Sequence, residues 1–519
     1  MEIKNETSYT KNIKCADVYT ESQADYTLPD YLGDVRKILF TEAVLRPSGR
    51  FAGGDEIEIS GVVIYNVIYL DSENNLSSVE FTSDYDYAVK CSGESYKDSV
   101  ADTRVSNYAI RLMGPRKISA RASLVGSVKI TESSSISVSG NAFESDLSAE
   151  VNTKSAYIRS GKISSVIERE YAEQLTRLEG AIADEVSVVY SNAEAIVDSV
   201  EAENDSVNVK GKVRMLAIIK NGDMPAYGVE KSVGFEEKVE FDGISSDMRL
   251  IPALSVSSVK SNVNADETGC DVVLSGIVEF CIAGECNERV DLILDSYLKN
   301  LPTENIYEDF TYFCLADAVS VKGSHNAELD RSEIESEGLH EILFMTATPK
   351  IERVERENGR VNILGEVRYS GIASEIVDDK VSYVSIKFSS PFAANVNISC
   401  KNDDNLHVDA KVLTSSASAS LDASKLYATC ILESSVVVSE EKNEKILSSS
   451  AIKDGEHYES EGARITVYYP TENDTLFSVA KRFRASSLKV ARDNDISESV
   501  FAADNPEGKL TGVKKLIIY

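Results

Sequence analysis

The stretch Gly61–Leu70, GVVIYNVIYL, decides how the rest of the chain is read. Two and four residues after its glycine stand Val63 and Tyr65, which share one side of an extended chain because strand side chains alternate with period two. The same pattern returns as GKVRMLAIIK from Gly211, GIVEFCIAGE from Gly276 and GEVRYSGIAS from Gly365, and in shorter form as GSVKIT from Gly126. The equivalent positions are Val128 and Ile130, Val213 and Met215, Val278 and Phe280, and Val367 and Tyr369. All are apolar. Between them fall charges such as Lys129, Lys212, Arg214, Glu279, Glu366 and Arg368, so each strand is read as having one face on a core and one in water. In GVVIYNVIYL the second face is apolar too, through Val62, Ile64, Ile68 and Leu70. That strand is expected to be covered on both sides, as the centre of a thick sandwich or beneath a partner.

The spacing of the glycines organises the chain. Gly61 to Gly126 and Gly211 to Gly276 are both 65 residues, and 65 beyond Gly365 stands Cys430 inside the strand-like LYATCILESSVVV. From Gly61 to Gly211 is 150 residues, and from Gly211 to Gly365 is 154. Three copies of one β module follow, each holding two related half-motifs. Gly61, Gly126, Gly211, Gly276 and Gly365 are assigned structural roles, preceding each strand where the backbone bends, bulges or approaches another backbone closely. Between the first two copies, VIEREYAEQLTRLEGAI from Val166 sets Ile167, Tyr171, Leu175 and Leu178 at helical spacing and predicts a linker helix. ELDRSEIESEGLHEILF from Glu328 predicts an acidic connection into the third copy, and the serine clusters at 133 and 448 predict loops or linkers.

Composition supports a multidomain, mostly β protein. The 519 residues exceed one ordinary core, and 24 Tyr among many Val, Ile and Thr residues lean towards sheet. Lys and Arg number 54 against 85 Asp and Glu, a formal charge of -31, which disfavours nucleic acid and anionic lipid. No apolar run approaches the roughly 18 residues of a spanning helix, and MEIKNETSYTKN lacks the apolar core of a secretory signal, so the chain is expected to stay where it is made. The eight cysteines are scattered without a CxxC pair, as suits reduced thiols, Cys281 and Cys286 being the nearest neighbours. No phosphate-cradling GxxxxGK[ST], no HExxH and no GxSxG occurs, and only His325, His340, His407 and His457 are present. The reading is a non-enzyme with no catalytic residue, metal or cofactor.

The last residues have a different character. In ARITVYYPTENDTLFSVAKRFRASSLKVARDNDISESVFAADNPEGKLTGVKKLIIY, from Ala463, the strand-like RITVYY leads to a turn and then to Asp474, which is read as a helix N-cap. Leu476, Val479, Ala480 and Phe483 make an apolar stripe, and Lys481, Arg482 and Arg484 place positive charge near the helix C-terminus. A second helix over Ser486 to Arg492 and a closing strand VKKLIIY complete a β-α-α-β order. Residues 463 to 519 hold nine basic and seven acidic residues, whereas the preceding 462 hold 45 and 78.

This segment resembles the LysM domain on Tyr468, Asp474, Thr475, Leu476, Phe477, Val479, Ala480, Lys481, Phe483, Asn494, Gly512, Leu516 and Ile518. Asn473 replaces the family's usual glycine, and Tyr519 stands where proline is general. The resemblance implies a shallow groove for N-acetylglucosamine polymers between Thr471 to Thr475 and Gly508 to Gly512, or a surface for a protein. Near the start, TLPDYLGDVRKILFTEAVL resembles the entrance of SPOCS domains on Leu28, Pro29, Asp30, Tyr31, Asp34, Val35, Ile38 and Leu39, with Gly33 for a usual proline. Three SPOCS-like repeats followed by LysM are similar to SipL-type spore-coat morphogenetic proteins. The fold this implies is mostly β: SPOCS-like sandwich modules in 1–150, 151–300 and 301–455, with linker helices, then LysM in 463–519.

The function it implies is a mother-cell cytoplasmic scaffold at the forespore and spore-coat surface, binding a coat morphogenetic ATPase or another coat protein. Peptidoglycan or another N-acetylglucosamine polymer is the alternative partner. The binding residues would be Thr471, Asn473, Asp474, Thr475, Phe477, Lys481, Arg482, Arg484, Asn494 and Gly512. Plainer readings stand beside four of these: Phe477 as edge packing, and the basic run Lys481, Arg482 and Arg484 as a solvated helix face.

Overall fold

The computed structural model describes the chain except residues 1–5, 15–16, 54–55, 91–95, 144–148, 246–247, 337, 401–404, 454–464, 497–508 and 511. Strands come in three sets. The first is β1 (Glu6–Lys14), β2 (Val18–Thr27), β3 (Val35–Gly53), β4 (Glu56–Asp71), β5 (Leu76–Lys90), β6 (Tyr96–Gly114) and β7 (Lys117–Ser137). The second is β8 (Glu150–Ile163), β9 (Ile167–Glu179), β10 (Val186–Glu203), β11 (Ser206–Asn221), β12 (Tyr227–Glu240), β13 (Arg249–Asp266) and β14 (Gly269–Tyr297). The third is β15 (Thr303–Asp330), β16 (Leu339–Glu357), β17 (Arg360–Val377), β18 (Lys380–Asn397), β19 (Leu406–Leu421) and β20 (Lys425–Ile452). A small terminal unit closes the chain with β21 (Thr466–Tyr468), α1 (Leu476–Phe483), α2 (Ser487–Asp493) and β22 (Leu516–Ile518).

Each set folds into two packed antiparallel sheets. The first sheets are β3-β4-β5, β10-β11-β12 and β16-β17-β18. The second sheets are centred on β7 between β2 and β6, on β14 between β9 and β13, and on β20 between β15 and β19. The ten apolar positions named from period two, from Val63 and Tyr65 to Val367 and Tyr369, are at most 1 % exposed and fill the space between the sheets. Alternation works because only one parity of each strand can face that space.

Gly61, Gly211 and Gly365 occupy the same place in the three sheets, but inside the central strand rather than before it. β4, β11 and β17 begin several residues earlier. Each glycine lies opposite an aromatic residue of the next strand, Tyr85, Phe235 or Phe392, whose ring sits where a Cβ would be: 2.5, 2.7 and 2.8 Å from that position. The preceding strand bulges at the same level in all three sheets. At Gly211 and Gly365 a carbonyl oxygen of the bulged strand, Ile196 or Lys350, comes closer still, 2.1 Å from that position, so close approach of both ring and neighbouring backbone is the reason for glycine. Gly126, Gly276 and Cys430 lie in the central strands of the second sheets, β7, β14 and β20.

Three expectations are corrected. The segment from Val166 is not a helix but β9, paired with β14. Ile167, Tyr171 and Leu175 are four apart, an even spacing that suits one strand face as well as a helix face. Leu178 breaks that parity, and β9 absorbs the break with a bulge at Leu175, since Gln174 pairs with Val273 and Thr176 with Val272. Leu178 thereby returns to the core. The serine clusters are not loops either. Ser133–Ser135 pair within β7 against β1, and Ser448–Ser450 lie in β20, where the Ser450 hydroxyl donates to Asn305 Oδ1 at 2.8 Å. The second face of β4 is covered by the other two sets of strands, not by a further layer of its own sandwich, and only Ile68 and Leu70 are fully buried there.

That cover forms a hub. Ile68, Ile218 and Ile372 each stand seven residues after the three first-sheet glycines, and each pairs with an aromatic residue on the preceding strand: Phe40, Tyr190 and Phe344. All six are buried in one cluster. The three rings close a triangle, with centroids 5.7 Å apart for Phe40 and Tyr190, 4.9 Å for Phe40 and Phe344, and 5.1 Å for Tyr190 and Phe344. Backbone contacts tie the rim: the Ala226 N–H donates to the Tyr383 hydroxyl at 2.6 Å, and Ser78 Oγ donates to the Val189 carbonyl.

The long central strands continue past the sandwiches. The end of β7 pairs with β1, that of β14 with β8, and that of β20 with the first half of β15. These ribbons pack on one another through Tyr9, Ile158, Leu292, Tyr312 and Ile446. In the turn between β2 and β3, the stretch Leu28–Asp34 wraps the Arg116 guanidinium, which donates to the carbonyls of Pro29 at 2.7 Å and Leu32 at 3.1 Å and to Asp34 Oδ1 at 2.8 Å. No described helix is long and apolar enough to cross a membrane.

Candidate functional site

The terminal unit has the expected β-α-α-β order, with β21 and β22 antiparallel. Its helix cap differs from the expectation. Thr475, not Asp474, is the N-cap of α1: its hydroxyl accepts the Ser478 N–H at 3.0 Å, and Ser478 Oγ accepts the Thr475 N–H at 2.9 Å. This reciprocal box leaves Asp474 one residue too early to reach the helix amides. Asp474 instead closes the preceding turn, accepting from the Thr471 N–H at 2.7 Å, the Thr471 hydroxyl at 2.9 Å and the Tyr468 hydroxyl at 2.8 Å. These donors, the Thr471 amide first, hold its carboxyl below the usual aspartate range.

The two loops named from the resemblance lie side by side. Thr475 and Lys509 form a backbone bridge, and the Leu510 N–H donates to the Asp474 carbonyl at 3.2 Å. Asn473 is exposed at the tip of the first loop. Gly508 and Thr511 fall outside the described residues, while Gly512 is a turn residue with φ 84°. Asn494 works internally. Its side chain accepts the Ile517 N–H at 2.6 Å and donates to the Ile517 carbonyl at 2.7 Å, which locks α2 to β22.

The predicted docking residues divide. Phe477 packs edge-on against Tyr297 at the end of β14, with centroids 5.2 Å apart. Lys481 Nζ lies 2.7 and 2.6 Å from the two Asp295 carboxylate oxygens, and the Tyr297 hydroxyl donates to the Ala485 carbonyl at 2.6 Å. Phe477 and Lys481 thus hold the unit to the body. Arg482 stays exposed, its guanidinium 5.6 Å from the Tyr468 ring centre, and Arg484 is the exposed left-handed C-cap of α1.

A surface not named from the sequence lies on the opposite side of this unit. Thr466 and Tyr468 turn towards the helices, so the other parity of the segment faces outward: Ile465, Val467 and Tyr469 are 69, 51 and 69 % exposed. Tyr519, just beyond β22, is 61 % exposed, and Lys515 is exposed just before that strand. Four large apolar side chains on a two-stranded sheet leave a continuous uncovered face. The signal was present in RITVYY, where Ile465, Val467 and Tyr469 make one apolar row while the other parity is Arg464, Thr466 and Tyr468.

A second concavity of 780 Å³ opens above the aromatic triangle, with walls from all three sets of strands. On the first wall Glu42 Oε2 accepts from the Tyr190 hydroxyl at 3.0 Å and from Asn66 at 3.3 Å. Burial pushes its carboxyl above the usual glutamate range despite those donors. On the second, Arg214 is bidentate to Glu230 at 2.6 and 2.5 Å and donates to the Ala417 carbonyl at 2.7 Å, while Glu194 accepts the Ser416 N–H at 3.1 Å. The third carries Arg368 and Lys387.

Among the described residues, no group of three or more His, Cys, Asp and Glu is arranged to hold a metal. Cys281 and Cys286, five apart on β14, point to opposite faces and cannot meet. His325 is a core residue, its Nδ1 2.8 Å from the Tyr369 hydroxyl. No protein-family profile, curated protein or solved structure matches this chain.

Proposed function

We propose that the protein is a non-enzymatic scaffold that grips a protein partner through its terminal unit, in the manner of the spore-coat morphogenetic proteins its sequence resembles. The observation that carries this reading is the uncovered apolar sheet face of Ile465, Val467, Tyr469 and Tyr519 on a unit whose opposite side is already attached to the body. Aromatic and aliphatic side chains of this kind are the usual centre of a protein interface. The unit is formally +2 on a body of formally -33, so a partner with an acidic rim meets attraction at the tip and repulsion elsewhere. In this reading the partner is a coat-basement ATPase or another coat protein, met in the mother-cell cytoplasm at the forespore surface. SPOCS-like modules supply the body and a LysM-like fold supplies the tip.

The adjacency of the Thr471–Thr475 and Lys509–Gly512 loops favours a second reading, an N-acetylglucosamine polymer in the groove between them. One experiment separates the two. Val467→Arg with Tyr469→Ala, made in the full chain, is expected to abolish capture of the coat ATPase while leaving any response to N-acetylglucosamine oligomers intact. Capture undiminished by this double substitution would remove the sheet face from the account. Oligomer-induced NMR shifts confined to the two loops would favour the glycan.

A further inference from the structure

The walls of the concavity above the aromatic triangle differ in charge although they are built from equivalent positions. On the third wall, strand pairing sets Thr346, Ser370 and Lys387 in one row and Thr348, Arg368 and Ser389 in the next, across β16, β17 and β18. All six share the parity that faces the cavity, and all six line it. The equivalent rows are Glu42, Asn66 and Glu80 in the first set, and Asn192, Leu216 and Glu230 with Glu194, Arg214 and Ser232 in the second. Two cations among four hydroxyls therefore face walls that carry carboxylates.

The cations also differ in how they are satisfied. Arg214 is held by Glu230, and Arg368 is paired with Glu366 through Nε at 2.7 Å and Nη2 at 2.6 Å, leaving its Nη1 for a further acceptor. Lys387 has no hydrogen-bond or ion-pair partner among the described residues, in a chain of 85 acidic residues. Directly opposed side chains on a sheet are about 5 Å apart and diagonal ones about 7 to 8 Å, so one oxyanion spans Lys387 and Arg368 with Ser370 and Ser389 beside it.

The geometry points to a binding site for a small molecule bearing a phosphate or carboxylate, its oxyanion held by Lys387 and Arg368 and by the hydroxyls of Ser370 and Ser389, the Thr346 hydroxyl being committed to the Ser370 carbonyl at 2.9 Å. The volume suits a ligand of metabolite size. Partial desolvation lowers the Lys387 ammonium below the usual lysine range, while its side chain stays open to solvent and so to a ligand.

Titration calorimetry on the full chain, with inorganic phosphate and with citrate in separate arms, tests the assignment. Saturable binding of phosphate alone or of citrate alone is the expected result and identifies the oxyanion. Lys387→Gln with Arg368→Gln is expected to weaken that binding about tenfold or more, while Lys489→Gln on α2 leaves it unchanged. Protection of Lys387 from acetylation by the bound anion, read by mass spectrometry on the unsubstituted chain, gives the same answer without a variant. No saturable binding of either anion, or binding that neither the double substitution nor Lys387 labelling registers, would overturn the proposal.

Discussion

Phe40 in the first set of strands and Phe344 in the third meet edge to face, with ring centroids 4.9 Å apart and planes at 80°. Tyr190 of the second set completes the triangle, so the three sandwiches share one core in addition to their own. Truncating a buried aromatic residue in such a core costs about 3–5 kcal/mol. Phe344→Ala is expected to cost that much in urea unfolding and to reduce amide-exchange protection around Ile68 in the first sandwich. Loss confined to β16–β18 would mean that the hub couples nothing.

Gly211 tests the role of the repeated glycines. A Cβ there would meet the Ile196 carbonyl oxygen at 2.1 Å and the Phe235 ring at 2.7 Å, whereas one at Gly114 would meet nothing within 4 Å. Overpacking of this kind costs about 1–3 kcal/mol. Gly211→Ala is therefore expected to lower the unfolding midpoint clearly, and Gly114→Ala to leave it nearly unchanged.

Glu42 gives the hub a pH dependence. Burial raises its carboxyl pKa in the folded state, so the folded chain holds a proton that the unfolded chain releases more readily. Its contribution is complete at pH below the unfolded glutamate value and is lost as pH rises through the raised folded value. Glu42→Gln keeps a neutral group there and is expected to raise the melting temperature above wild type at pH 8 but not at pH 4. A difference that is the same at both pH values would contradict the burial argument.

The attachment of the terminal unit rests on Tyr297. Its ring meets Phe477 and its hydroxyl donates to the Ala485 carbonyl, beside the Lys481 to Asp295 ion pair. An aromatic pair contributes about 0.5–1.5 kcal/mol beyond its buried area. Tyr297→Ala is expected to speed amide exchange in α1 while β4, β11 and β17 keep their protection. Equal loss in all of them would show that the unit is part of the body's core.

Much of the sandwich interior was legible because period two is a local signal: Val63, Tyr65, Val213 and Met215 announce their own burial. The hub was not. Ile218 and Ile372 lie in strands whose same parity also carries Arg214 and Arg368, which read as solvent-facing, and only assembly shows that one sheet face passes from a dry centre to a charged rim. β9 misled because spacings of four fit two structures, and the bulge at Leu175 that decides between them has no sequence mark. Phe477 and Lys481 read in the sequence as docking residues for a partner, whereas in the fold they meet Tyr297 and Asp295 of the same chain, contacts between segments too remote in sequence to be read from it. The outward row of Ile465, Val467 and Tyr469 was hidden by the stronger helix pattern that follows it.

Differential scanning calorimetry of the full chain tests the central claim, that three repeated sandwiches form one body through a shared core. The three sandwiches are expected to melt in one cooperative transition, with calorimetric and van't Hoff enthalpies in agreement, and Phe344→Ala to shift it as a whole. Three separate transitions in the unsubstituted chain, or a Phe344→Ala effect restricted to one of them, would contradict it.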